Sequence, residues 1–304
     1  SLHRPFRAFG VSAFDALQVL TDLTSVHPSP STRVRLREEV LLSIAQDQGV
    51  HARELLHEAS QLGVFSRTAT HAAWNGVVIS SPDQVPEVLL RVHRLASESI
   101  PQLRVRMGAV AGETGIEAAN DLDAWREQLS LFEGVRDVLD VFIPQIFEQS
   151  AADMVIATAS KQWRSAHGIQ MKRSERTRLV KRAEGFVRPG AHLPELHTEL
   201  LKVQERREAW RARTGDEGWP TLPQRLEEAR ELTTSIEEDL AALAPFFSTS
   251  RKDFSSMSMS ELGAFFDSLD ADPLGAREIP QRVGLLKDIA EAGLSPLAAD
   301  LRDR

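Results

Sequence analysis

Residues 193–214 read LPELHTELLKVQERREAWRART, a stretch of charged and long-chain residues that carries a narrow apolar stripe. The stripe consists of Leu196, Leu200, Val203 and Trp210, whose spacings of four, three and seven residues place them on one face of an α-helix. Charged side chains occupy most of the other positions, as expected for a helix that buries a single face. The stretch therefore predicts a long helix that packs along one side.

A second long helix is predicted over residues 222–247, where Leu226, Leu232 and Leu240 belong to another helical series of apolar residues. The intervening turn, GDEGWP at residues 215–220, contains two glycines and a proline, which interrupt helices. Two long helices joined by a short turn predict an antiparallel helical hairpin, and the narrow stripe is typical of a projecting, coiled-coil-like arm. The alternative is a pair of ordinary bundle helices.

Helical periodicity also dominates the rest of the chain. Strand signals are short and are confined to residues 77–79 and 103–107. The sequence therefore predicts an all-α protein, a multi-helix bundle with the long hairpin as its arm. Outside the hairpin, apolar residues recur at helical spacing at 33–47, 52–62, 86–97, 116–132, 134–147, 151–166, 280–292 and 296–302.

Changes in composition divide the chain into three predicted domains. Residues 1–150 are predicted to form an N-terminal helical bundle, and residues 151–248 to combine a basic helix with the hairpin arm. A serine-rich stretch at residues 248–260, STSRKDFSSMSMS, reads as a linker. Residues 249–304 are predicted to form short C-terminal helices that pack back on the bundle.

Composition excludes several classes of protein. The 304 residues carry a formal net charge of −8, are 42% hydrophobic and include no cysteine. No apolar run approaches the ~18 residues that a membrane-spanning helix requires, so we expect no membrane among the partners. The absence of cysteine excludes disulfides, thiolate zinc sites and cysteine catalysis, and it fits a cytoplasmic protein.

The sequence motifs of common catalytic sites are missing. The chain contains no Gly-Lys pair, and therefore no phosphate-binding P-loop, and it contains no GxGxxG, HExxH or GxSxG. We therefore predict no catalytic residue, no metal ligand and no cofactor within this chain. The acidic run Glu237-Glu238-Asp239 is interpreted as the solvated face of a helix, because charge runs on long helices are usually exposed.

The strongest local signal is a basic segment. Residues 161–188 carry a net charge of +7, whereas residues 1–160 carry −7 and residues 189–304 carry −8. Such a segment in an acidic protein is where a polyanion binds, and an aromatic residue beside it can stack on a base. Pairing with the protein's own acidic flanks and docking onto another domain of a parent protein are the alternatives. The predicted nucleic-acid contacts are Lys161, Trp163, Arg164, Lys172, Arg173, Arg176, Arg178, Lys181, Arg182 and Arg188.

Short strings distributed along most of the chain carry a family resemblance. They are RPF at 4–6, FGVSAFDAL at 9–17, AWNGV at 73–77, GVRDVLD at 134–140, ATA at 157–159 with Trp163-Arg164, VRPG at 187–190, AGL at 292–294 and DLR at 300–302. Together they resemble the helical, stalk-like region inserted between the first ATP-binding motif and the later motor motifs of large bacterial helicase-related ATPases of superfamily 1. None of these strings is a catalytic motif.

The resemblance implies an accessory helical domain that contacts DNA or RNA, or couples a motor to it, and is not catalytic by itself. The motor domains of the parent chain would be its partners, and ATP and Mg²⁺ would bind there, outside residues 1–304. The start at Ser1-Leu2-His3, without an initiator methionine, fits a piece of a longer protein; a processed or tag-cleaved full-length protein is the alternative. The competing functions are a protein-interaction or oligomerisation scaffold that uses the helical arm, and a stand-alone enzyme.

Overall fold

The computed structural model describes residues 3–5, 11–26, 34–65, 72–215, 218–250 and 253–303. These residues form helices joined by short connections, with isolated β-bridges and no β-strand among them. The all-α prediction is therefore confirmed. Of the two strand signals, residues 103–107 lie inside a helix and residues 77–79 form an irregular segment.

Much of the predicted helical periodicity falls in helices, but the boundaries differ: residues 116–121 precede the helix Leu122–Val141, which runs through the predicted break at residue 133. Single π-helical turns at Ile44–Gln48 and Leu95–Ser99 join consecutive α-helices. The α-helices are α1 (Ala13–Val26), α2 (Glu38–Ser43), α3 (Gly49–Gln61), α4 (Val85–Arg94), α5 (Ile100–Thr114), α6 (Leu122–Val141), α7 (Ala152–Thr158), α8 (Lys161–Ala166), α9 (Arg173–Glu184), α10 (Leu196–Thr214), α11 (Leu226–Leu243), α12 (Met259–Asp270), α13 (Pro273–Glu291) and α14 (Ser295–Asp303).

The chain forms two compact units. The first combines Ser1–Ala69 with Gln281–Arg304, and the second spans Thr70–Pro280. These units do not coincide with the three predicted segments 1–150, 151–248 and 249–304. Within the second unit, α6 packs against α10 and α11, and α12 packs against α4 and α5. Residues from all three predicted segments therefore share one unit.

The first unit is held together by apolar side chains from α3 and from the C-terminal part of the chain. Leu55 and Ala59 of α3 belong to one buried cluster with Ile289, Leu294 and other residues of this part. Gly293 ends α13 with a φ of 71°. A Cβ atom at this position would lie 2.5 Å from Val40 Cγ2, so the turn needs a residue without a side chain.

Two buried tryptophans mark the core of the second unit. Trp125 of α6 is fully buried, and its Nε1–H donates a hydrogen bond to Thr233 Oγ1 of α11 at 2.8 Å. Trp210 of α10 packs edge-on against Phe132 of α6, with ring centroids 6.0 Å apart. Helix α6 therefore contacts both of the long helices that the sequence predicts.

The projecting hairpin is not confirmed. Helices α10 and α11 exist, but α10 packs mainly on α6 and α7, and α11 packs on α4, α5 and α6. The apolar stripe of α10 is buried at Leu200, Val203 and Trp210 inside the second unit. Such a narrow stripe is also sufficient for an ordinary bundle helix, which is the alternative to a projecting arm. Part of the predicted turn, residues 216–217, lies outside the described residues.

The interpretation of the acidic run in α11 as a solvated face is wrong for Asp239. Its side chain is buried, and it accepts hydrogen bonds from Arg91 Nη1 at 2.8 Å and Arg94 Nε at 2.6 Å. The bond to Asp239 raises the pKa of Arg94, and bonds to Glu87 and Asp239 raise that of Arg91, so both guanidinium groups stay charged. Asp239 faces the interior because α4 places Arg91 and Arg94 opposite it.

No helix in the described ranges is both long enough and apolar enough to span a bilayer.

Candidate nucleic-acid interface

The basic segment folds into two helices placed against α7 and α10. Helix α8 begins after Ser160, whose hydroxyl accepts a hydrogen bond from the Trp163 backbone N–H at 3.0 Å, a typical N-cap. Helix α9 packs on α7 and buries only Leu179 and Ala183. Because a single stripe of α9 is buried, most of its basic side chains face solvent.

All ten predicted contact residues lie on α8, on α9 or in the segments next to them, and none is buried. Trp163 and Arg164 are half-buried, and the other eight are exposed. None of the nine cations forms an ion pair with an acidic residue of the described chain. The alternative of internal pairing with acidic flanks therefore finds no support among these residues.

Three of the arginines also stabilise the local fold. Arg176 Nε donates a hydrogen bond to Ala157 O at 3.0 Å, and Arg164 donates one to Ala159 O. Both carbonyls lie at the C-terminal end of α7, where unpaired carbonyls carry partial negative charge that a cation offsets. Arg188 Nε donates to Phe142 O at 3.0 Å, next to the β-bridge between Phe142 and Val187.

Seven of the nine cations fall into two groups. A cleft of about 430 Å³ is lined by Lys161, Arg164, Arg173 and Arg176 and by no carboxylate; we call it the basic cleft. Arg178, Lys181 and Arg182 are spaced three and four residues apart, so they share an exposed face of α9 that we call the basic ridge. Lys172 precedes α9 and is exposed.

Trp163 belongs to a stack of rings that the sequence analysis did not predict. His167 lies parallel to it, with ring centroids 3.9 Å apart and an interplanar angle of 21°. His197 of α10 meets Trp163 edge-on at 6.2 Å. One face of Trp163 is therefore already covered. The spacing of four residues between Trp163 and His167 on a helical segment is the signal that indicates this contact.

Hydrogen bonds set the orientation of both histidines. His167 Nδ1 lies 2.8 Å from Trp163 O, and His197 Nδ1 lies 3.0 Å from Val155 O. A carbonyl oxygen only accepts, so each Nδ1 carries the hydrogen. The Nε2 atoms are then the positions at which these rings accept a hydrogen bond.

We predict that Arg176→Ala lowers the free energy of unfolding by about 1 kcal/mol, because it removes the hydrogen bond that Arg176 donates to the end of α7. Arg178→Ala is the matched control, since Arg178 is an exposed arginine on the same helix, and we expect its effect to stay within about 0.5 kcal/mol. Urea denaturation of both variants measures the difference. Equal stabilities would contradict the anchoring role of Arg176.

No group of three or more histidine, aspartate and glutamate side chains in the described part of the chain is arranged to hold a metal ion. Comparison of the chain with known protein families, with curated proteins and with solved structures found no match.

Proposed function

We propose that this chain is a helical accessory domain that binds nucleic acid through the basic cleft and the basic ridge and is not catalytic by itself. The observation that supports the proposal is the set of nine cations on and around α8 and α9, which are solvent-accessible and have no acidic partner among the described residues. Unpaired cations gathered on one surface attract a polyanion and release its counterions on binding.

The distribution of charge favours a localised contact. The segments before and after residues 161–188 carry −7 and −8. These flanks repel a polyanion, so the attraction is concentrated on α8 and α9. A strand of DNA or RNA that follows this surface contacts about six cations that have no structural bond of their own, namely Lys161, Lys172, Arg173, Arg178, Lys181 and Arg182.

The residue types favour nucleic acid over an acidic protein. Arginine predominates over lysine in residues 161–188, and its planar guanidinium binds phosphate oxygens in pairs. Aromatic rings beside the cations supply surfaces on which bases stack. An acidic peptide uses the charges but has no need of such rings.

The wider biological setting follows from the resemblance to the inserted helical region of superfamily 1 helicase-related ATPases. In this proposal the parent motor supplies ATP and Mg²⁺, and its motor domains are the partners that the accessory domain couples to DNA or RNA. The missing Gly-Lys pair in this chain agrees with that division of labour. The absence of cysteine fits a cytoplasmic location.

Fluorescence anisotropy with labelled DNA and RNA, titrated with salt, tests the proposal. Each phosphate contact on a single strand contributes about −0.7 to the slope of log K against log salt, so about six contacts give a slope of roughly −4. Poly-glutamate serves as a competitor that has charge but no bases. Absence of binding at low salt, with circular dichroism showing a folded helical protein, would exclude this function.

A further inference from the structure

We infer that the basic surface selects single-stranded over duplex nucleic acid, with one unpaired base stacked on the outer face of His167 while neighbouring phosphates bind at the basic cleft. This inference rests on the proposed function and adds the form of the nucleic acid and the residue that recognises it. It shifts the stacking role from Trp163, which the sequence indicates, to the histidine that covers it.

The outer face of His167 is available to a ligand. Its inner face lies on Trp163, with centroids 3.9 Å apart, yet the residue as a whole remains exposed. The exposed area therefore belongs mainly to the opposite face and the ring edge. A base placed there extends the existing stack by one ring, and base–aromatic stacking tolerates any base because every base has a π-face.

The stack is held rigidly before any ligand binds. His167 is oriented by its Nδ1–H bond to Trp163 O, and Trp163 contacts His197, which is tied to α7 through Val155 O at 3.0 Å. Thr158 Oγ1 lies 3.2 Å from His197 Nδ1 and adds a further contact to α7. We call the stack of His167, Trp163 and His197 the ring platform. Because this platform is already ordered, it loses little side-chain entropy on binding, which favours affinity.

The platform and the cleft are adjacent in the chain. His167 lies between Ser165 and Gly168, and Ser165, Gly168 and the nearby Arg164 all line the basic cleft. Gly168 has a φ of 66°, so the backbone reverses directly after His167 and returns along the cleft. His167 is not among the residues that line the cleft, but the adjacent Gly168 is, so the nucleotides beside the stacked one bring their phosphates to the cleft's cations.

Single strands fit this arrangement because their bases are free to leave the stack. In a duplex both faces of each internal base are covered by neighbours, and exposing one requires unstacking and unpairing it, which costs free energy. The cations by themselves bind either form, since phosphate contacts carry no base information. A preference for single strands is therefore due to base stacking on the ring platform and not to the charge of the cations.

The test compares three labelled ligands at one salt concentration: a 12-nucleotide strand, its duplex, and a strand of the same length built from abasic units. The intact chain is expected to bind the normal strand about tenfold more tightly than the abasic strand, from one stacked base. His167→Ala should remove that difference and leave binding of the abasic strand unchanged. His167→Phe, which keeps a flat ring, should restore it.

His192→Ala is the matched control, since His192 is an exposed histidine of the same unit, and it should not alter binding of any ligand. Equal affinity of the intact chain for normal and abasic strands, or tighter binding of the duplex, would overturn the inference while salt-sensitive binding still supports the proposed function. No effect of His167→Ala on the normal strand would also overturn it. Absence of salt-sensitive binding to all three ligands would reject the function and the inference together.

Discussion

The triple variant Arg178→Glu, Lys181→Glu, Arg182→Glu is expected to bind nucleic acid about a hundredfold more weakly at low salt, with a slope of log K against log salt that is shallower by about 2 to 3. These three residues form the basic ridge, are exposed, and have no ion pair with the described chain. Reversing the charge of these three residues removes three phosphate contacts and adds three negative charges that repel the strand. Salt-titrated anisotropy on a single strand measures both quantities.

The choice of residues in this variant follows from the structure. Arg176 is left unchanged because its hydrogen bond to Ala157 O would be lost with its charge, and weaker binding would then have two explanations. The ridge residues have no such bond, so we expect the fold and the stability to be retained. Circular dichroism and urea denaturation of the triple variant check this directly.

The matched control is the triple variant Arg53→Glu, Arg104→Glu, Arg277→Glu. It makes the same change in net charge with exposed arginines outside the basic segment. Long-range repulsion alone would weaken binding equally in both triple variants, because it depends on the total charge. Equal losses, or unchanged binding in the ridge variant, would contradict the assignment of the interface to α9.

Asp239→Ala is expected to lower the free energy of unfolding of the second unit by about 3 kcal/mol. The carboxylate of Asp239 is fully buried and holds Arg91 and Arg94, whose side chains are 26% and 41% exposed. Its removal leaves Arg94 without its carboxylate partner, beside Arg91, which keeps only its ion pair with Glu87. Their partial exposure keeps the expected loss at the lower end of the range for broken buried ion pairs.

Urea denaturation followed by tryptophan fluorescence measures this effect, because all five tryptophans lie in the second unit. Glu238→Ala is the control, since Glu238 is the exposed neighbour of Asp239 on the same helix, and its cost should stay within about 0.5 kcal/mol. A loss in Asp239→Ala no larger than in Glu238→Ala would show that the Asp239 network does not stabilise the unit.

The acidic run of α11 shows a property that the local sequence does not predict, namely which of its acids is buried. Glu237, Glu238 and Asp239 are three consecutive acids, and consecutive positions on a helix point in different directions. Glu238 is exposed as predicted, whereas Asp239 is buried against α4. The arginine that bonds to it most closely, Arg94, is 145 residues away in the chain, and no periodicity within α11 indicates that partner.

The predicted hairpin is not confirmed, for a related reason. The stripe of Leu200, Val203 and Trp210 correctly predicts a helix with one buried face, but the same stripe suits a partner helix from any part of the chain. Proximity in sequence pointed to α11 as that partner. In the structure, α6 and α7 cover the stripe instead, because they bring Phe132 and other apolar residues to it.

By itself the sequence determined the all-α class, one buried face in each long helix, and the position of the basic segment at residues 161–188. These properties depend on residue type and on spacings of three and four residues, which are local. The tertiary structure alone decided that the cations lack acidic partners in the described chain, that Arg176 is anchored to α7, and that His197 of α10 packs against Trp163. Such properties depend on which helix ends meet in space, and that is settled by the packing of the whole unit.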